Sequence, residues 1–397
     1  MRTQVAIIGA GPAGLLLAHL LHLHGIDSVV LERHTREHVE RRIRAGVLEQ
    51  GTVGLLTDVG LAERLLRERM VHRGLELLFE GTAHRLPLTE LTGRELTIYG
   101  QHELVKDLVA ARLTTGRPLL FSSPAVSVDG LDTDEPVVVY EHEGRPAELR
   151  CDLVAGCDGF HGVSRPSVPS KALTVYEREY PYAWLGVLAQ APPSSDELIY
   201  AHHDRGFALH SMRSPAITRL YLQVAPDEPV QDWPDERIWR ELRTRLARCG
   251  GFELGFELNE GPILDKGVTG LRSFVAEPMR HGRLFLAGDA AHIVPATGAK
   301  GLNLAVADVA VLAAAIAEWC SGAGSAALDA YSDTCMRRVS RVQHFSWWMT
   351  SMLHRSPDDD PFTRRLQLSQ LRYLTTSTAA ATSFAENYVG LPLEVPR

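Results

Sequence analysis

Buried-strand and buried-helix patterns alternate at the start of the chain. Residues 3–8 (TQVAII) form a continuous β-rich apolar run, as expected for a strand that is buried on both faces. An apolar helix is predicted from Leu15 to His24, and a second buried strand from Ser28 to Leu31. These segments together predict one βαβ unit, with a glycine-rich turn at its first corner.

The middle of the chain has a different pattern. Residues 197–203, 206–214 and 218–226 are short segments separated by turn residues, which predicts antiparallel strands of a second sheet. Residues 284–287 (LFLA) return to buried-strand character, and a long apolar helix is predicted from about residue 302. This order predicts that one domain is inserted in the other, with a ligand cleft between them.

The apolar stretch from Leu302 to Trp319 is long enough to raise the question of a membrane span. It contains Asp308 and Glu318, so we expect a buried helix instead. The formal net charge of -8 argues against a broad nucleic-acid surface and against attraction to acidic membranes. An anionic ligand must therefore be bound by locally placed arginines.

Length and cysteine usage narrow the class of protein further. A chain of 397 residues predicts two interlocked domains. Its five cysteines are odd in number and show no C-x-x-C spacing, so neither a disulfide framework nor a metal site is expected. No signal-peptide pattern precedes the first strand, and we expect a cytoplasmic protein.

The first corner carries a dinucleotide-binding motif. Gly9, Gly11 and Gly14 form G-x-G-x-x-G between strand and helix, with Ala13 inside the turn. The glycines permit the tight turn, the approach to the pyrophosphate and close helix packing, and the helix N-terminus receives the phosphates. Glu32 ends the second strand, where a carboxylate can bind ribose hydroxyls. This motif alone does not separate FAD from NAD.

A second nucleotide-type corner, about 280 residues later, favours FAD. Gly288 and Asp289 end a strand, and a glycine-bearing loop leads to a helix that begins near Gly301. Asp289 can bind a ribityl hydroxyl, and the helix N-terminus can stabilise negative charge on the flavin ring. A third element, Asp158-Gly159, follows another strand and is equally consistent with a simple turn.

With these motifs the sequence resembles the flavin-dependent aromatic hydroxylases. The resemblance extends from the first strand to residues 385–392 (AENYVGLP), and its most specific stretches are 42–51, 198–214, 288–305 and 344–350. It implies a mixed α/β fold: a Rossmann-like FAD-binding domain, an inserted antiparallel-sheet substrate domain and a helical C-terminal region. The implied ranges are 1–72, 98–178 and 268–320 for the first, 73–97 and 179–267 for the second, and 321–397 for the third.

The activity that the resemblance implies is the ortho-hydroxylation of a phenol with a para carboxylate, such as 4-hydroxybenzoate. FAD is the implied cofactor, NADPH or NADH the reductant, and O2 the co-substrate, in a homodimer. Residues 33–38 differ from the better-known NADPH-preferring members, so the coenzyme choice stays open.

The carboxylate of such a substrate needs a cation. Ser211 and Arg213 are two residues apart on a predicted strand and so share a face. Arg213 can bind a carboxylate with two charge-assisted bonds, and Ser211 can add a third donor. An arginine on a strand is more typical of a surface ion pair, and the resemblance is what favours substrate binding. It also places Tyr221 at the carboxylate and Arg219 near the flavin.

The resemblance assigns the phenol to a pair of tyrosines. Tyr200 and Tyr388 would bind the phenol and pass its proton outward, with His72 at the solvent end. Loss of the proton raises the electron density of the ortho carbon, which then attacks the oxygen that the flavin delivers. A chain of hydroxyl groups can carry the proton without a buried charged base.

The remaining implied contacts complete three sets. The substrate set adds Met212 and the carbonyl of Ala296, which stands where the family commonly has a proline. The cofactor set comprises Gly9, Gly11, Ala13, Gly14, Glu32, Arg42, Ile43, Arg44, Ala45, Gly46, Val47, Gln101, Asp158, Arg219, Asp289, Leu302 and Asn303. The nicotinamide coenzyme would use a transient surface site of Arg33, Arg42, Arg44, His161 and Arg272. His202 replaces a commoner asparagine, and nothing in the sequence explains it.

Three other functions compete with this hypothesis. A hydroxylase of the same fold could act on 4-aminobenzoate or 3,4-dihydroxybenzoate, because Arg213 would bind any benzoate. A flavin-dependent halogenase is disfavoured by the absence of W-x-W-x-x-P, since Trp347 and Trp348 are adjacent. A non-catalytic flavin or aromatic-acid sensor would bind the cofactor without oxidising coenzyme, and the tyrosine pair and arginine argue against it.

Overall fold

The computed structural model describes residues 1–42, 46–249 and 256–393. The strands, in chain order, are β1 (Val5–Ile8), β2 (Ser28–Leu31), β3 (Val47–Leu48), β4 (Met70–His72), β5 (Leu75–Phe79), β6 (Thr82–Leu86), β7 (Leu96–Ile98), β8 (Leu119–Leu120), β9 (Ala125–Asp129), β10 (Val137–His142), β11 (Arg145–Arg150), β12 (Leu153–Gly156), β13 (Thr174–Ala189), β14 (Leu198–His202), β15 (Ala208–Ser214), β16 (Ile217–Val224), β17 (Ile263–Glu277), β18 (Arg280–His281), β19 (Leu284–Leu286) and β20 (His292–Ile293). The helices are α1 (Pro12–Leu23), α2 (Arg36–Arg41), α3 (Gln50–Asp58), α4 (Glu63–Glu68), α5 (Leu88–Thr92), α6 (Gln101–Thr114), α7 (Asp235–Arg245), α8 (Gly301–Cys320), α9 (Ala326–Asp329), α10 (Tyr331–Leu353), α11 (Pro361–Thr376) and α12 (Thr378–Val389).

The predicted βαβ unit lies at the centre of a six-stranded sheet, ordered β18-β19-β12-β1-β2-β8. β1 pairs in parallel with both β2 and β12, and β19 extends the parallel set. β2 has the predicted bounds, whereas α1 begins at Pro12 rather than Leu15, because proline fits the first turn of a helix. The carboxyl ends of β1, β2 and β12 meet at one edge, where ligands bind in such sheets.

The second sheet has eight strands, ordered β20-β17-β13-β16-β15-β14-β5-β6. Its β14, β15 and β16 are the three predicted segments, and they pair antiparallel as predicted. β5 adds to this sheet in parallel with β14, which brings residues 75–86 from far back in the chain. The long strands β13 and β17 cross the predicted domain limits near 178 and 267, so those limits fall inside strands rather than in linkers.

The long apolar helix is buried, as the two acidic residues in it predicted. α8 is long and apolar enough to cross a membrane, but 72% of its 18-residue apolar window is buried inside the protein. α10, α11 and α12 follow it and share an aromatic core with the second sheet, which includes Phe345, Phe384 and Phe207. The mixed α/β fold is therefore confirmed, and the last helix reaches the sheet that carries the predicted substrate residues.

Candidate active site

A cleft of about 1010 Å³ lies where the carboxyl edge of the first sheet faces the second sheet. The first sheet contributes Gly9, Glu32 and Asp158 to its lining, and the second contributes Trp184 and Tyr221. The cleft therefore joins the predicted dinucleotide corner to the predicted substrate strands.

Two of the three motif glycines have a steric reason in the structure, and the third faces the cleft. Gly9 has a φ of +104°, and a Cβ there would lie 2.4 Å from the carbonyl oxygen of Cys157. A Cβ on Gly14 would lie 2.0 Å from the carbonyl oxygen of Gly9, so helix and turn pack too closely for a side chain. A Cβ on Gly11 would meet no described atom within 4 Å, because Gly11 faces the open cleft. This is the geometry that a pyrophosphate needs.

The Glu32 carboxylate fixes the corner as well as lining the cleft. One oxygen accepts the backbone N–H of Ala10 at 2.8 Å, and the other accepts that of His34 at 2.9 Å. Each carboxylate oxygen keeps a second lone pair. The bonds to Ala10 and His34 hold the carboxylate in place at the cleft wall, where the predicted ribose contact would form.

The turn at residues 288–290 is held in place by a buried pair, Asp308 and His292, which the sequence did not predict. Asp289 lines the cleft in a 3-10 turn, Gly288–Ala290, and Leu302 follows on α8. Asp308 Oδ2 accepts the backbone N–H of Gly288 at 2.9 Å and lies 2.6 Å from Nε2 of His292. Burial alone would lower the pKa of His292, but the Asp308 carboxylate offsets this and the pKa is raised.

Other predicted cofactor positions fall into three groups. Ala13, Arg42, Val47, Gln101 and Arg219 also line the cleft. A Cβ on Gly46 would lie 2.1 Å from the carbonyl oxygen of Tyr99, which explains a glycine there. Ile43, Arg44 and Ala45 lie outside the described residues.

Two predicted polar contacts are engaged within the protein. Asp158 Oδ2 accepts both the N–H and the hydroxyl of Ser164 at 2.9 Å, and burial raises the pKa of this carboxyl. The Asn303 side chain bonds within the protein: its Oδ1 accepts from Glu49 N–H and Thr52, and its Nδ2 donates to the Val47 carbonyl. The side chain ties α8 to residues 47–52 because its bonding capacity is used there, and the cofactor contact of Asn303 stays a prediction.

The predicted coenzyme residues lie along the same cleft. Arg33, Arg42, His161 and Arg272 all line it. The guanidinium of Arg272 lies over the ring of Phe160 at 4.8 Å, and that of Arg165 over the same ring at 4.6 Å. Phe160 was not anticipated, although it directly follows the Asp158-Gly159 turn. Arg272 is also paired with Glu177 at 3.4 Å and with Glu179 at 3.2 Å, so its charge on this rim is partly balanced.

Arg213 lies next to Tyr221 with part of its bonding capacity unused. Its Nη1 donates to the Met212 carbonyl at 3.0 Å and its Nη2 to the Tyr221 hydroxyl at 3.4 Å, while the buried Nε has no partner in the described ranges. Burial lowers the pKa of Arg213, and the guanidinium pairs with no described carboxylate. A buried cation without a counter-ion fits an anionic ligand.

The neighbours of Arg213 differ in part from the predicted carboxylate site. The Ser211 hydroxyl donates to the Arg219 carbonyl at 2.9 Å, so its proton is committed to the next strand rather than free for a substrate. Met212 is buried in the aromatic core and reaches the site only through its carbonyl. Arg219 and Tyr221 share a face, with the guanidinium 5.3 Å from the ring, and both line the cleft.

The predicted tyrosine pair is in direct contact. The Tyr200 and Tyr388 hydroxyls are 2.6 Å apart, and Tyr200 also donates to the Thr297 carbonyl at 3.1 Å, beside the cleft residue Ala296. Because a hydroxyl has one proton, Tyr388 donates to Tyr200 in this arrangement. Burial raises the pKa of both phenols, which keeps them neutral.

His72 is not at the surface, and the prediction of a solvent end is corrected here. Its side chain is 1% exposed, and neither ring nitrogen has a hydrogen-bond partner in the described part of the chain. It ends β4 opposite the buried Leu96 of β7, so the ring is enclosed. Burial lowers its pKa to about 4, which leaves it neutral near pH 7.

A buried ion pair beneath the tyrosines was also missed. Lys300 Nζ donates to Glu49 at 2.6 Å and to the Tyr388 carbonyl at 2.7 Å, and Lys300 lines the cleft. Both residues lie inside stretches on which the resemblance rests, and a charged residue within an apolar run was the available signal. The pair anchors the end of α12 that carries Tyr388.

Comparison with known proteins gives consistent similarities over the whole chain. Residues 2–346 match the family model described as FAD binding domain. The chain is 46% identical to p-hydroxybenzoate hydroxylase of Acinetobacter baylyi over 396 residues, covering 100% of this chain and 97% of the relative. It is 28% identical to a 3-(3-hydroxy-phenyl)propionate/3-hydroxycinnamic acid hydroxylase of Mycobacterium avium, matching 83% of this chain and 57% of that relative. Its fold is similar to the crystal structure of p-nitrophenol 4-monooxygenase from Pseudomonas putida DLL-E4, with a TM-score of 0.83 at 20% identity, covering 98% of this chain and 99% of the other.

Proposed function

The chain belongs to the FAD-binding-domain family of flavoprotein aromatic hydroxylases, and we propose that it converts 4-hydroxybenzoate to 3,4-dihydroxybenzoate. It is a flavin-dependent monooxygenase, with FAD as cofactor and NAD(P)H and O2 as co-substrates. The name of the Acinetobacter relative supports the choice of substrate. The observation that carries the proposal is the half-buried Arg213 guanidinium, whose buried Nε is an unused donor and which has no carboxylate partner among the described residues.

The residues around the cleft fit FAD. Gly9, Gly11 and the N-terminus of α1 would receive the pyrophosphate, Glu32 the ribose, and Asp289 with the start of α8 the flavin end. Bound FAD supplies the redox chemistry, taking electrons from NAD(P)H and activating O2. The rim residues Arg33, Arg42, His161 and Arg272 would receive the coenzyme phosphates from the open side of the cleft.

Arg213 and Tyr221 orient the substrate by its carboxylate. The unused Nε and the adjacent Nη2 form one edge of the guanidinium, which suits the two oxygens of a carboxylate. Arg213 and Tyr200 lie on the neighbouring strands β15 and β14, which supports a benzoate held by Arg213 with its para hydroxyl at the tyrosine pair. A para-hydroxylated benzoate is therefore the substrate class that we propose.

Tyr200 and Tyr388 would then move the phenolic proton. In the structure the Tyr200 hydroxyl donates its proton to the Thr297 carbonyl. To accept the proton of the substrate, Tyr200 must turn its own proton towards the Tyr388 hydroxyl. The raised pKa values prevent either tyrosine from ionising alone, and the proton passes through the hydroxyl pair as it leaves the substrate. His72 is the proposed outer member of this relay; it makes no hydrogen bond with either tyrosine among the described residues, so a water molecule would have to carry the proton between Tyr388 and the imidazole.

We further propose a homodimer in the cytoplasm. Light scattering on the purified protein tests the dimer, and cell fractionation tests the location. A monomer at micromolar concentration would contradict the first.

The central experiment measures coupling. The protein is reconstituted with FAD, and NADPH and NADH oxidation, O2 uptake and 3,4-dihydroxybenzoate are followed with 4-hydroxybenzoate, 4-aminobenzoate and 3,4-dihydroxybenzoate in parallel. We expect coenzyme oxidation to be stimulated by 4-hydroxybenzoate, with one hydroxylated product for each coenzyme consumed. Stimulated oxidation that yields only peroxide would refute the substrate assignment, and efficient turnover of another benzoate would replace it.

A further inference from the structure

His354 lies at the centre of the aromatic cluster behind the cleft. Its ring is 1% exposed and stacks on Phe207 at 4.3 Å and on Tyr182 at 4.7 Å between centroids. No step proposed above uses it. A buried histidine is stabilised when both of its nitrogens have hydrogen-bond partners within the protein.

Both nitrogens are engaged, and their roles follow from the partners. The indole Nε1 of Trp184 lies 2.6 Å from His354 Nε2, and an indole N–H can only donate, so Nε2 accepts. His354 Nδ1 lies 2.9 Å from the Thr350 carbonyl, which can only accept, so Nδ1 carries the hydrogen. The ring is therefore a neutral Nδ1–H tautomer. Burial lowers its pKa to about 3, in agreement with this assignment.

The partner of His354 is part of the cleft wall. Trp184 lines the cleft beside Gly186 and Tyr221, and its ring lies 4.7 Å from that of Tyr221. Tyr221 in turn accepts a hydrogen bond from Arg213. The orientation of the indole therefore sets the space beside the cation that would bind the carboxylate.

The same turn of α10 also supports the tyrosine pair. The Thr350 hydroxyl donates to the Thr297 hydroxyl at 2.8 Å, and the Thr297 carbonyl accepts from Tyr200. Thr350 and His354 are four residues apart and thus lie on one face of the chain at the end of this helix. One helical turn thereby supports the wall at the carboxylate end and the hydroxyl relay at the phenol end.

We propose that His354 is a positioning residue for the aromatic substrate: it locks the Trp184 indole in the cleft wall and, with Thr350, ties that wall to the Tyr200–Tyr388 relay. The substrate named here rests on the proposed function. The role of His354 rests on the hydrogen bonds of the ring and on the place of Trp184 in the cleft.

Two amide substitutions separate the contact with Trp184 from the contact with Thr350. In His354→Gln the amide reaches the position of Nε2 and keeps an acceptor for the indole. In His354→Asn the amide reaches only the position of Nδ1, so the bond to Thr350 can persist while that to Trp184 is lost. His202, an adjacent buried histidine whose Nδ1 lies 3.1 Å from the Leu353 carbonyl, provides the matched control pair His202→Gln and His202→Asn.

Dissociation constants for benzoate and 4-hydroxybenzoate are measured from the flavin absorbance change of the FAD-loaded protein. We expect His354→Asn to raise both constants by about tenfold, which is about 1.4 kcal/mol, and to increase the share of coenzyme oxidation that yields peroxide. His354→Gln and both His202 variants should stay within about threefold of the wild type. In a Trp184→Phe background, His354→Asn should have no further effect, because the group it holds is gone.

Equal constants for His354→Asn and His354→Gln would overturn the proposal, as would a full His354→Asn effect in the Trp184→Phe background. If His354→Asn does not fold, as judged by thermal unfolding, Trp184→Phe alone must weaken binding at least tenfold for the proposal to stand. Binding is read without turnover. A wild type that binds benzoates but hydroxylates none therefore refutes the proposed function and leaves the His354 comparison intact.

Discussion

Replacing Arg213 by alanine tests the substrate site most directly. In the folded protein the guanidinium is held by the Met212 carbonyl and the Tyr221 hydroxyl, and Nε is unused. A bound carboxylate would form two charge-assisted bonds with the Nε and Nη2 edge. Truncating one partner of such a buried pair costs about 2–5 kcal/mol. Because the Tyr221 hydroxyl remains, we expect the lower part of this range, a weakening of about 30- to 300-fold.

The assay is a titration of the flavin absorbance with 4-hydroxybenzoate, which gives the dissociation constant directly. Phenol is the control ligand, since it lacks the carboxylate, and its affinity should change by less than about threefold. Arg213→Lys keeps the charge but cannot form the two parallel hydrogen bonds, so its dissociation constant should lie between those of the wild type and the alanine variant. An unchanged constant for 4-hydroxybenzoate, or an equal loss for phenol, would refute the assignment of Arg213.

Three further predictions address the relay, the cofactor and the pH dependence of stability. Tyr200→Phe should leave the dissociation constant of 4-hydroxybenzoate within about threefold but lower the rate of hydroxylation by about 100-fold or more, because proton transfer is lost. The amount of hydroxylated product relative to total coenzyme oxidation measures the loss, and an equally large loss of substrate affinity would contradict the role of Tyr200 in proton transfer. Gly9→Ala should abolish FAD binding and destabilise the fold by more than about 1 kcal/mol, since its Cβ would lie 2.4 Å from the Cys157 carbonyl at a φ of +104°. Gly25→Ala is the control that should keep FAD, because Gly25 also has a positive φ, of +73°, but a Cβ there would meet no described atom within 4 Å. Burial lowers the pKa of His72 and of His210 to about 4 from the ordinary 6.5. Because the unfolded chain binds more protons between these two pH values, the free energy of unfolding should fall as the pH drops from about 6.5 to about 4. In urea unfolding, His210→Gln should reduce this pH dependence by up to about 1.4 kcal/mol per pH unit, and an unchanged pH dependence would show that His210 does not titrate this way.

The nucleotide half of the site was predictable because its requirements are local. Gly9, Gly11 and Gly14 are needed within one turn between adjacent elements, and the structure gives Gly9 and Gly14 a steric reason and places Gly11 at the open cleft. The buried character of α8 followed in the same way from two acidic residues in an apolar run. Such features depend on neighbours in the sequence, which a pattern can represent.

The contacts that the sequence did not predict are made with partners outside each residue's own helix or strand. Asn303 bonds Glu49, Thr52 and Val47 about 250 residues away, so no local pattern could show these bonds. His72 lies in a three-residue strand whose enclosure comes from distant segments. The proton of Ser211 is taken by the neighbouring strand, a detail that depends on register.

By itself the amino-acid sequence determined a dinucleotide-binding turn after the first strand and a second nucleotide-type turn that favours FAD. Through the family resemblance it also determined an arginine and two tyrosines that would bind a phenolic acid. The 2.6 Å contact of Tyr200 with Tyr388, the Lys300–Glu49 pair and the His354 bond to Trp184 were decided only in three dimensions. The physical reason is burial. A charge or a hydroxyl removed from water must find its partner wherever the fold brings one, and in these three cases the partner is more than a hundred residues away.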